Sequence, residues 1–210
     1  MDQRSPEWFA ARLGKVTASK IADVMTKTKT GYGAGRANYA AQLVTERLTG
    51  TKADSFTNAA MQWGVDCEER ARAAYEFTTG LTVVETGFVD HPVVAMSGAS
   101  PDGLVGDVGL LEIKCPNSAT HIATLQGGAI DRKYLLQMQW QMACTVREWC
   151  DFASYDPRLS LAKQLHVTRV QRDDALIAEI ETEVSAFLAE VDAIVMDLNH
   201  RYPDVESLAA

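Results

Sequence analysis

No apolar run in this chain approaches the roughly 18 residues of a membrane span, which argues against a membrane-spanning helix. The opening Met1-Asp2-Gln3-Arg4-Ser5-Pro6 lacks the apolar stretch of a signal peptide, so export is not expected. Cys67, Cys115, Cys144 and Cys150 show neither CxxC pairing nor dense spacing. That usage fits a reduced cytosolic protein better than a disulfide scaffold or a zinc site. Gly31, Gly33 and Gly35 are not followed by Gly-Lys-Ser/Thr, so no P-loop is present. The stretch Gly98-Ala99-Ser100-Pro101-Asp102 is not a Gly-x-Ser-x-Gly elbow, which leaves serine hydrolase chemistry with little support. His91, His121, His166 and His200 are scattered without metal-ligand spacing. What is present is ordinary for a soluble globular chain: 210 residues, 47 % hydrophobic and 23 % charged. The length is about one and a half times the ~150 residues expected per domain, so residues 1–210 read as one domain.

The net charge of −8 argues at first against a polyanionic partner. Its distribution qualifies that. Residues 1–36 carry a balance of +4, residues 173–210 a balance of −9 and the middle −3. Phosphate binding depends on local potential, so a chain with opposed ends can still present one basic surface. The plainer alternative is that these charges only solvate the surface.

Ser5-Pro6-Glu7 combines an N-cap, a proline at the first helical position and an early acid, and predicts a helix start. A second helical stretch follows Thr17-Ala18-Ser19, and residues 26–35 read as a mobile basic loop. Helices are predicted over 36–49 and 58–79, stopped by Gly50 and Gly80. Strands are predicted over 81–88, 93–96, 103–105 and 110–113. Helical patterning returns at 117–126 and 131–146, two strands follow at 149–155 and 164–170, and an acidic helix closes the chain at about 172–198 before a short tail. The layout predicts an α/β fold with a central sheet.

The informative stretch is Ser100-Pro101-Asp102-Gly103 through Leu111-Glu112-Ile113-Lys114. Gly106-Asp107-Val108-Gly109 reads as a tight turn between two strands. Centred between 107 and 108, it sets Asp102 opposite Ile113 and diagonal to Glu112 and Lys114. Alternation then puts Glu112 and Lys114 on one face while Leu111 and Ile113 point into the core. Two carboxylates and an amine converge there, with the Ile113 carbonyl between them. Such hard oxygen donors, with room for water and phosphate, suit Mg²⁺ or Mn²⁺. An ion of that kind polarises a phosphate and activates water, while Lys114 orients the water or stabilises developing charge. Each part has a blander reading: Ser-Pro-Asp-Gly is a good turn by itself, and Glu112 and Lys114 could form a solvated strand face. Together they favour the metal site.

Pro101-Asp102 followed by Glu112-Ile113-Lys114 resembles the PD-(D/E)xK nuclease signature. The resemblance extends to the phage lambda exonuclease family of viral recombination nucleases. It is carried by Arg12-Leu13-Gly14 with Thr17-Ala18-Ser19, Trp63-Gly64 with Glu68, and Tyr75-Glu76-Phe77-Thr78. It continues through Ser100 to Leu104, Leu111 to Pro116, Gln137-Met138-Gln139 and Phe152 to Arg158, spanning roughly residues 5–170 in the family's order. The resemblance implies an α/β restriction-endonuclease-like core with a mixed central sheet flanked by helices. It implies a Mg²⁺-dependent 5′-to-3′ exonuclease that degrades one strand of double-stranded DNA to 5′-mononucleotides and leaves a 3′ overhang for strand annealing.

Carried over residue by residue, it makes Asp102 and Glu112 metal-binding carboxylates, the Ile113 carbonyl a backbone ligand and Lys114 the catalytic lysine. Glu68 becomes an acid that holds metal-bound waters, and Gln137 an active-site glutamine. Arg12, Ser19 and Ser100 become a pocket for the terminal 5′-phosphate, a role that a guanidinium and hydroxyls suit. Two Mg²⁺ ions are implied, with Mn²⁺ as substitute. The partners implied are double-stranded DNA ends, a phage-type single-strand annealing protein and two further copies in a ring-shaped homotrimer, acting in the cytoplasm of a bacterial host and without a membrane. In such a ring the N-terminal bases would line a channel and the acidic termini would face outward or offer a docking surface. One position departs: Thr120, followed by His121, stands where the family has a second phosphate-contacting arginine, with Lys133 a nearby substitute. Other readings stay open. Glu68 and Arg72 could be only an i,i+4 surface pair, and Gln137 and Gln139 routine helix positions. The same core serves endonucleases, and a non-catalytic DNA-end-binding protein could retain it.

Overall fold

The computed structural model describes residues 2–29, 31–53 and 59–203. In chain order the elements are α1 (Pro6–Arg12), β1 (Val16–Thr17), a 3-10 turn (Ala18–Lys20), α2 (Ile21–Met25), β2 (Lys27–Thr28), β3 (Gly31–Tyr32), α3 (Ala34–Thr49) and α4 (Ala59–Thr79). The strands β4 (Val83–Val84), β5 (Val89–Asp90), β6 (Ser97–Ala99), β7 (Gly103–Val105) and β8 (Gly109–Lys114) follow. The chain continues with α5 (Ser118–Leu125), α6 (Arg132–Thr145), β9 (Trp149–Tyr155), β10 (Leu165–Gln171) and α7 (Asp174–Arg201). Helix starts follow local chemistry: Ser5, Asn117, Asp131 and Asp173 each accept a backbone N–H of the first turn. Gly50 takes the left-handed conformation that ends α3. Asn58, the predicted start of α4, lies outside the described residues.

The main sheet has the order β10-β9-β8-β7-β4, with β8 and β9 parallel and the other pairs antiparallel. A three-stranded sheet β1-β6-β5 and a β2-β3 hairpin stand apart from it. Residues alternate between its two buried faces. Leu111, Ile113 and Ala153 pack with Ala71 and Tyr75 of α4, while Leu110, Cys150 and Phe152 pack with Met138 and Met142 of α6. A further core joins α2, α3, α6 and α7 around Trp140, Tyr39 and Phe187. Asp151 of buried β9 accepts from the Tyr75 hydroxyl at 2.7 Å and from Arg169 at 2.8 and 2.9 Å. Replacing Asp151 with alanine strands that buried hydroxyl, and urea unfolding should show a loss of about 2 kcal/mol, the half-exposed Arg169 being free to resolvate. A loss below about 0.5 kcal/mol, within the scatter of surface substitutions, would show that the network contributes little.

Several predicted elements change. Residues 93–96 form bends and a turn, and the strand moves to Ser97–Ala99. Pro92 has no N–H for a ladder, and the His91 Nδ1 accepts from Val93 and Val94 N–H, folding the chain back locally. The predicted strand over 81–88 shortens to Val83–Val84. The glycine-rich basic loop instead contains the β2-β3 hairpin, with Lys27 and the Tyr32 hydroxyl both bound to Glu183 of α7.

The opposed charges of the two chain ends meet inside the fold. Arg36 is buried and pairs with Glu190 at 2.7 Å, and Arg47 pairs with Asp192. Part of the acidic excess of α7 thus neutralises N-terminal bases; buried Arg36 is not free to line a channel, while Lys27 is held on Glu183 at the surface. The apolar stripe of α7, from Ile177 to Val191, is core and not a docking face.

Candidate active site

The β7-β8 register pairs Gly103 with Leu111, Leu104 with Leu110 and Val105 with Gly109, so the hairpin is centred on Asp107. Extending it places Asp102 level with Glu112, not with Ile113 as expected, and on the same sheet face as Glu112. Its turn is fixed by Gly106 at φ +52° and by Arg147, which donates to the Gly106 and Gly109 carbonyls at 2.8 and 2.6 Å. Gly109 is glycine for lack of room, since a Cβ there would stand 2.2 Å from the Trp149 ring. Asp102 lies just before β7 and accepts through Oδ2 from the Ile113 N–H at 2.6 Å, across the strands.

Glu112 is fully buried, which overturns the solvated-face alternative. Gln137 Nε2 donates to its Oε1 and Gln141 Nε2 to its Oε2, both at 2.7 Å, and Lys114 caps it as a third donor. Gln141 was not among the expected site residues; its spacing four residues after Gln137 on α6 was the available signal. Gln139 points elsewhere, bonding Gln171 and Asp173. Burial, and then the Glu112 charge, push the Asp102 carboxyl well above the usual carboxylate range. Burial pulls Lys114 down, but Glu112 and Asp102 together outweigh it and hold the ammonium above its ordinary range.

A cleft of about 600 Å³ opens at the end of β8 between α4 and α6, lined by Glu68, Asp102, Ile113, Lys114 and Gln137, with Lys133 and Tyr134 at its α6 wall. Glu68 is more than an i,i+4 partner of Arg72: it binds Arg72 at 3.3 Å and also pairs with Arg4. A second, basic pocket of about 330 Å³ adjoins the cleft and includes Arg12, Lys15, Lys20 and Lys52. Arg4 and Ser19 line both. Within it the Arg12 guanidinium lies 3.8 Å from the Trp8 ring centroid; Ser100 lines neither concavity, and its hydroxyl accepts from the Trp8 N–H at 2.9 Å. Trp8 therefore connects two of the three expected phosphate-pocket residues, a link that the sequence pattern does not show. Burial lowers the Arg12 pKa from its ordinary value, without removing its charge at neutral pH.

The profile of the YqaJ-like viral recombinase domain matches residues 7–148, about two thirds of the chain, and takes in every one of these site residues except Arg4. The chain belongs to this family. Its structure is similar to that of LHK-Exo, an alkaline exonuclease from Laribacter hongkongensis, at 59 % identity over 94 % of this chain and 97 % of that one, with a TM-score of 0.88. The LHK-Exo complex with dAMP matches equally well. A phage-related exonuclease from Haemophilus somnus 129PT shares the fold at a TM-score of 0.68, with 18 % identity over 88 % of this chain and 96 % of that one. Among curated proteins none matches. The YqaJ-like chain is thus a nuclease of lambda-exonuclease type on a restriction-endonuclease-like fold, with its mixed sheet flanked by helices. No helix of the described residues is long and apolar enough to cross a membrane.

Proposed function

We propose that the protein is a divalent-metal-dependent exonuclease that digests one strand of double-stranded DNA from its 5′ end, releasing 5′-mononucleotides and leaving a 3′ single strand. The observation that carries this reading is the adjoining of the two concavities: a carboxylate- and lysine-lined cleft beside a pocket rich in arginine and lysine. A terminal phosphate in the basic pocket would leave the next phosphodiester to the cleft. The dAMP bound by LHK-Exo is a 5′-mononucleotide, the product class expected here.

The donor set fits Mg²⁺ or Mn²⁺. Among the described residues no three His, Cys, Asp or Glu side chains form a ready-made cage, and such ions need only one or two carboxylates when water and phosphate complete the shell. Asp102 and Glu112 repel one another in a desolvated place, a repulsion that a cation relieves. Asp102, Glu112 and the Ile113 carbonyl would hold the metal, two ions being accommodated if Glu68 contributes through water. A bound ion would supply polarisation of the scissile phosphate and activation of water. The chain's own groups do the rest: Gln137 and Gln141 fix the Glu112 carboxylate, and Lys114 presents a positive charge to the phosphate. Arg12 and Ser19 bind the terminal phosphate, with Ser100 positioned through Trp8.

Family membership in the viral recombinases supports the remaining parts of this reading, a ring-shaped homotrimer in the bacterial cytoplasm that hands its 3′ strand to a single-strand annealing protein. Digestion of linear duplexes labelled at one end, with Mg²⁺ or EDTA, tests polarity and metal dependence, and covalently closed DNA separates the exonuclease from an endonuclease. A 5′-phosphorylated duplex is expected to be digested faster than a 5′-hydroxyl one, and Arg12→Ala should narrow the difference about tenfold, the worth of one charged hydrogen bond. Equal initial rates on both ends would remove the phosphate pocket.

A further inference from the structure

The phosphate pocket lacks a cation where the resembled family has one. Thr120 is exposed on the first turn of α5 and lines neither the cleft nor the basic pocket. The next residue, His121, is buried, with its ring nitrogens engaged by Ser154 and the Lys163 carbonyl. Lys133 lines the cleft but not the basic pocket, and it is paired with Asp131 at 3.4 Å.

We propose that Arg4 supplies the missing contact: held on Glu68 before DNA binds, it transfers to the terminal 5′-phosphate of the bound strand. The proposal rests on the function proposed above and deepens it. Arg4 shares with Ser19 the position of lining both the basic pocket and the cleft, so it stands at the boundary between them. Its backbone is held there from both sides. Gln3 donates to the Thr86 and Pro101 carbonyls at 3.0 and 2.8 Å, fastening the chain next to Asp102, and Ser5 caps α1. Between these anchors Arg4 takes φ +71°, a left-handed conformation uncommon outside glycine. Such a conformation persists only where its surroundings fix it.

The side chain itself is free to move. It is 48 % exposed, and its Glu68 partner keeps a second guanidinium, that of Arg72, when Arg4 leaves. None of the other bases of the pocket reaches the cleft: Lys15 is paired with Asp90, Lys20 with Asp23, Arg12 is stacked on Trp8 and Lys52 lies over Phe9. A terminal phosphate carries up to two negative charges and three acceptor oxygens, against one charge on Glu68, so a guanidinium gains by the exchange. The exchange also unloads a carboxylate of the cleft at the moment the strand arrives. End recognition is thereby tied to the readiness of the site.

The test compares wild type, Arg4→Ala, Arg4→Lys and Arg12→Ala on blunt duplexes carrying either a 5′-phosphate or a 5′-hydroxyl. For Arg4→Ala the ratio of kcat/KM between the two ends is expected to fall about tenfold, as one charge-assisted contact to phosphate is lost. Arg4→Lys should recover part of it. Binding of a labelled 5′-phosphorylated duplex in EDTA, followed by fluorescence anisotropy across salt concentration, should lose about 0.9 from its log–log slope in Arg4→Ala. A purely structural pairing with Glu68 would move neither readout selectively. If the wild type and Arg12→Ala differ in end discrimination while Arg4→Ala keeps the full wild-type ratio, the Arg4 assignment is overturned and the pocket stands. If the wild type itself treats both ends alike, pocket and assignment fall together. An equal loss on both ends would place Arg4 on another phosphate or in the fold, and overturns the assignment as well.

Discussion

Lys114→Ala is expected to lower kcat on double-stranded DNA by at least about 100- to 1,000-fold, the scale of losing one preorganised donor to developing charge. The structure makes Lys114 a standing cation. Its ammonium is held on Glu112, its pKa lies above the ordinary lysine range, and it sits 5.1 Å from the Tyr134 ring centroid. A group so held acts as a charged donor to phosphate, not as a proton acceptor at neutral pH. The fold should survive, because Glu112 keeps Gln137 and Gln141 after the lysine is gone. Asp102→Ala and Glu112→Ala should lose turnover as severely, since all three side chains are proposed to serve one phosphate. Steady-state digestion combined with circular dichroism checks both halves. A folded Lys114→Ala protein that digests DNA near the wild-type rate would show that the mechanism is assigned to the wrong residues.

Metal is expected to stabilise the protein through Asp102, and the effect should depend on pH. Burial and Glu112 raise the Asp102 pKa in the folded state. Between the unfolded and folded pKa values the native state therefore holds a proton that the unfolded chain has lost, so metal-free stability falls as pH rises through that window. Asp102→Asn removes the charge and can still accept from Ile113, so without metal it should be more stable than wild type above that window. Mg²⁺ at 100 times its dissociation constant should stabilise wild type by about 2.7 kcal/mol, or about 5–11 °C in Tm for a chain of this length. Asp102→Asn should show little of that gain, and acidification should diminish it in wild type. Thermal scans with Mg²⁺ and with EDTA decide the matter. An equal Mg²⁺ shift in both proteins would place the metal somewhere other than Asp102.

These two results bear on different properties of one cleft. In the proposed mechanism turnover depends on the cation held on Glu112, and metal affinity on the carboxylates crowded beside it. On that proposal the crowding costs stability and prepares the site, as is common where function and folding compete for the same residues. Gln137 and Gln141 offset part of the cost, since a buried carboxylate with donors on both oxygens is far less unfavourable than a bare one.

The sequence by itself determined the local grammar of this protein. Ser5-Pro6, Asp131 and Asp173 mark helix starts and Gly50 and Gly80 helix stops, because caps and left-handed glycines act within a few residues. A short apolar run between turn residues located β8, the stop at Asp156-Pro157 bounded β9, and the spacing of Asp102, Glu112 and Lys114 was legible because they share one hairpin. Tertiary structure decided what adjacency along the chain cannot carry. The hairpin register was missed by one residue, and residues 93–96 turn back through His91 instead of extending. The burial of both sheet faces also came from the fold, since α4 and α6 cover β8 from opposite sides. The same holds for Gln141 on Glu112, Trp8 between Arg12 and Ser100, and Arg4 on Glu68. Apart from the local Trp8–Arg12 stacking along α1, those contacts join residues from 29 to 92 positions apart. Only packing brings such residues together, and only packing removes the water that makes a charge cheap wherever the sequence leaves it.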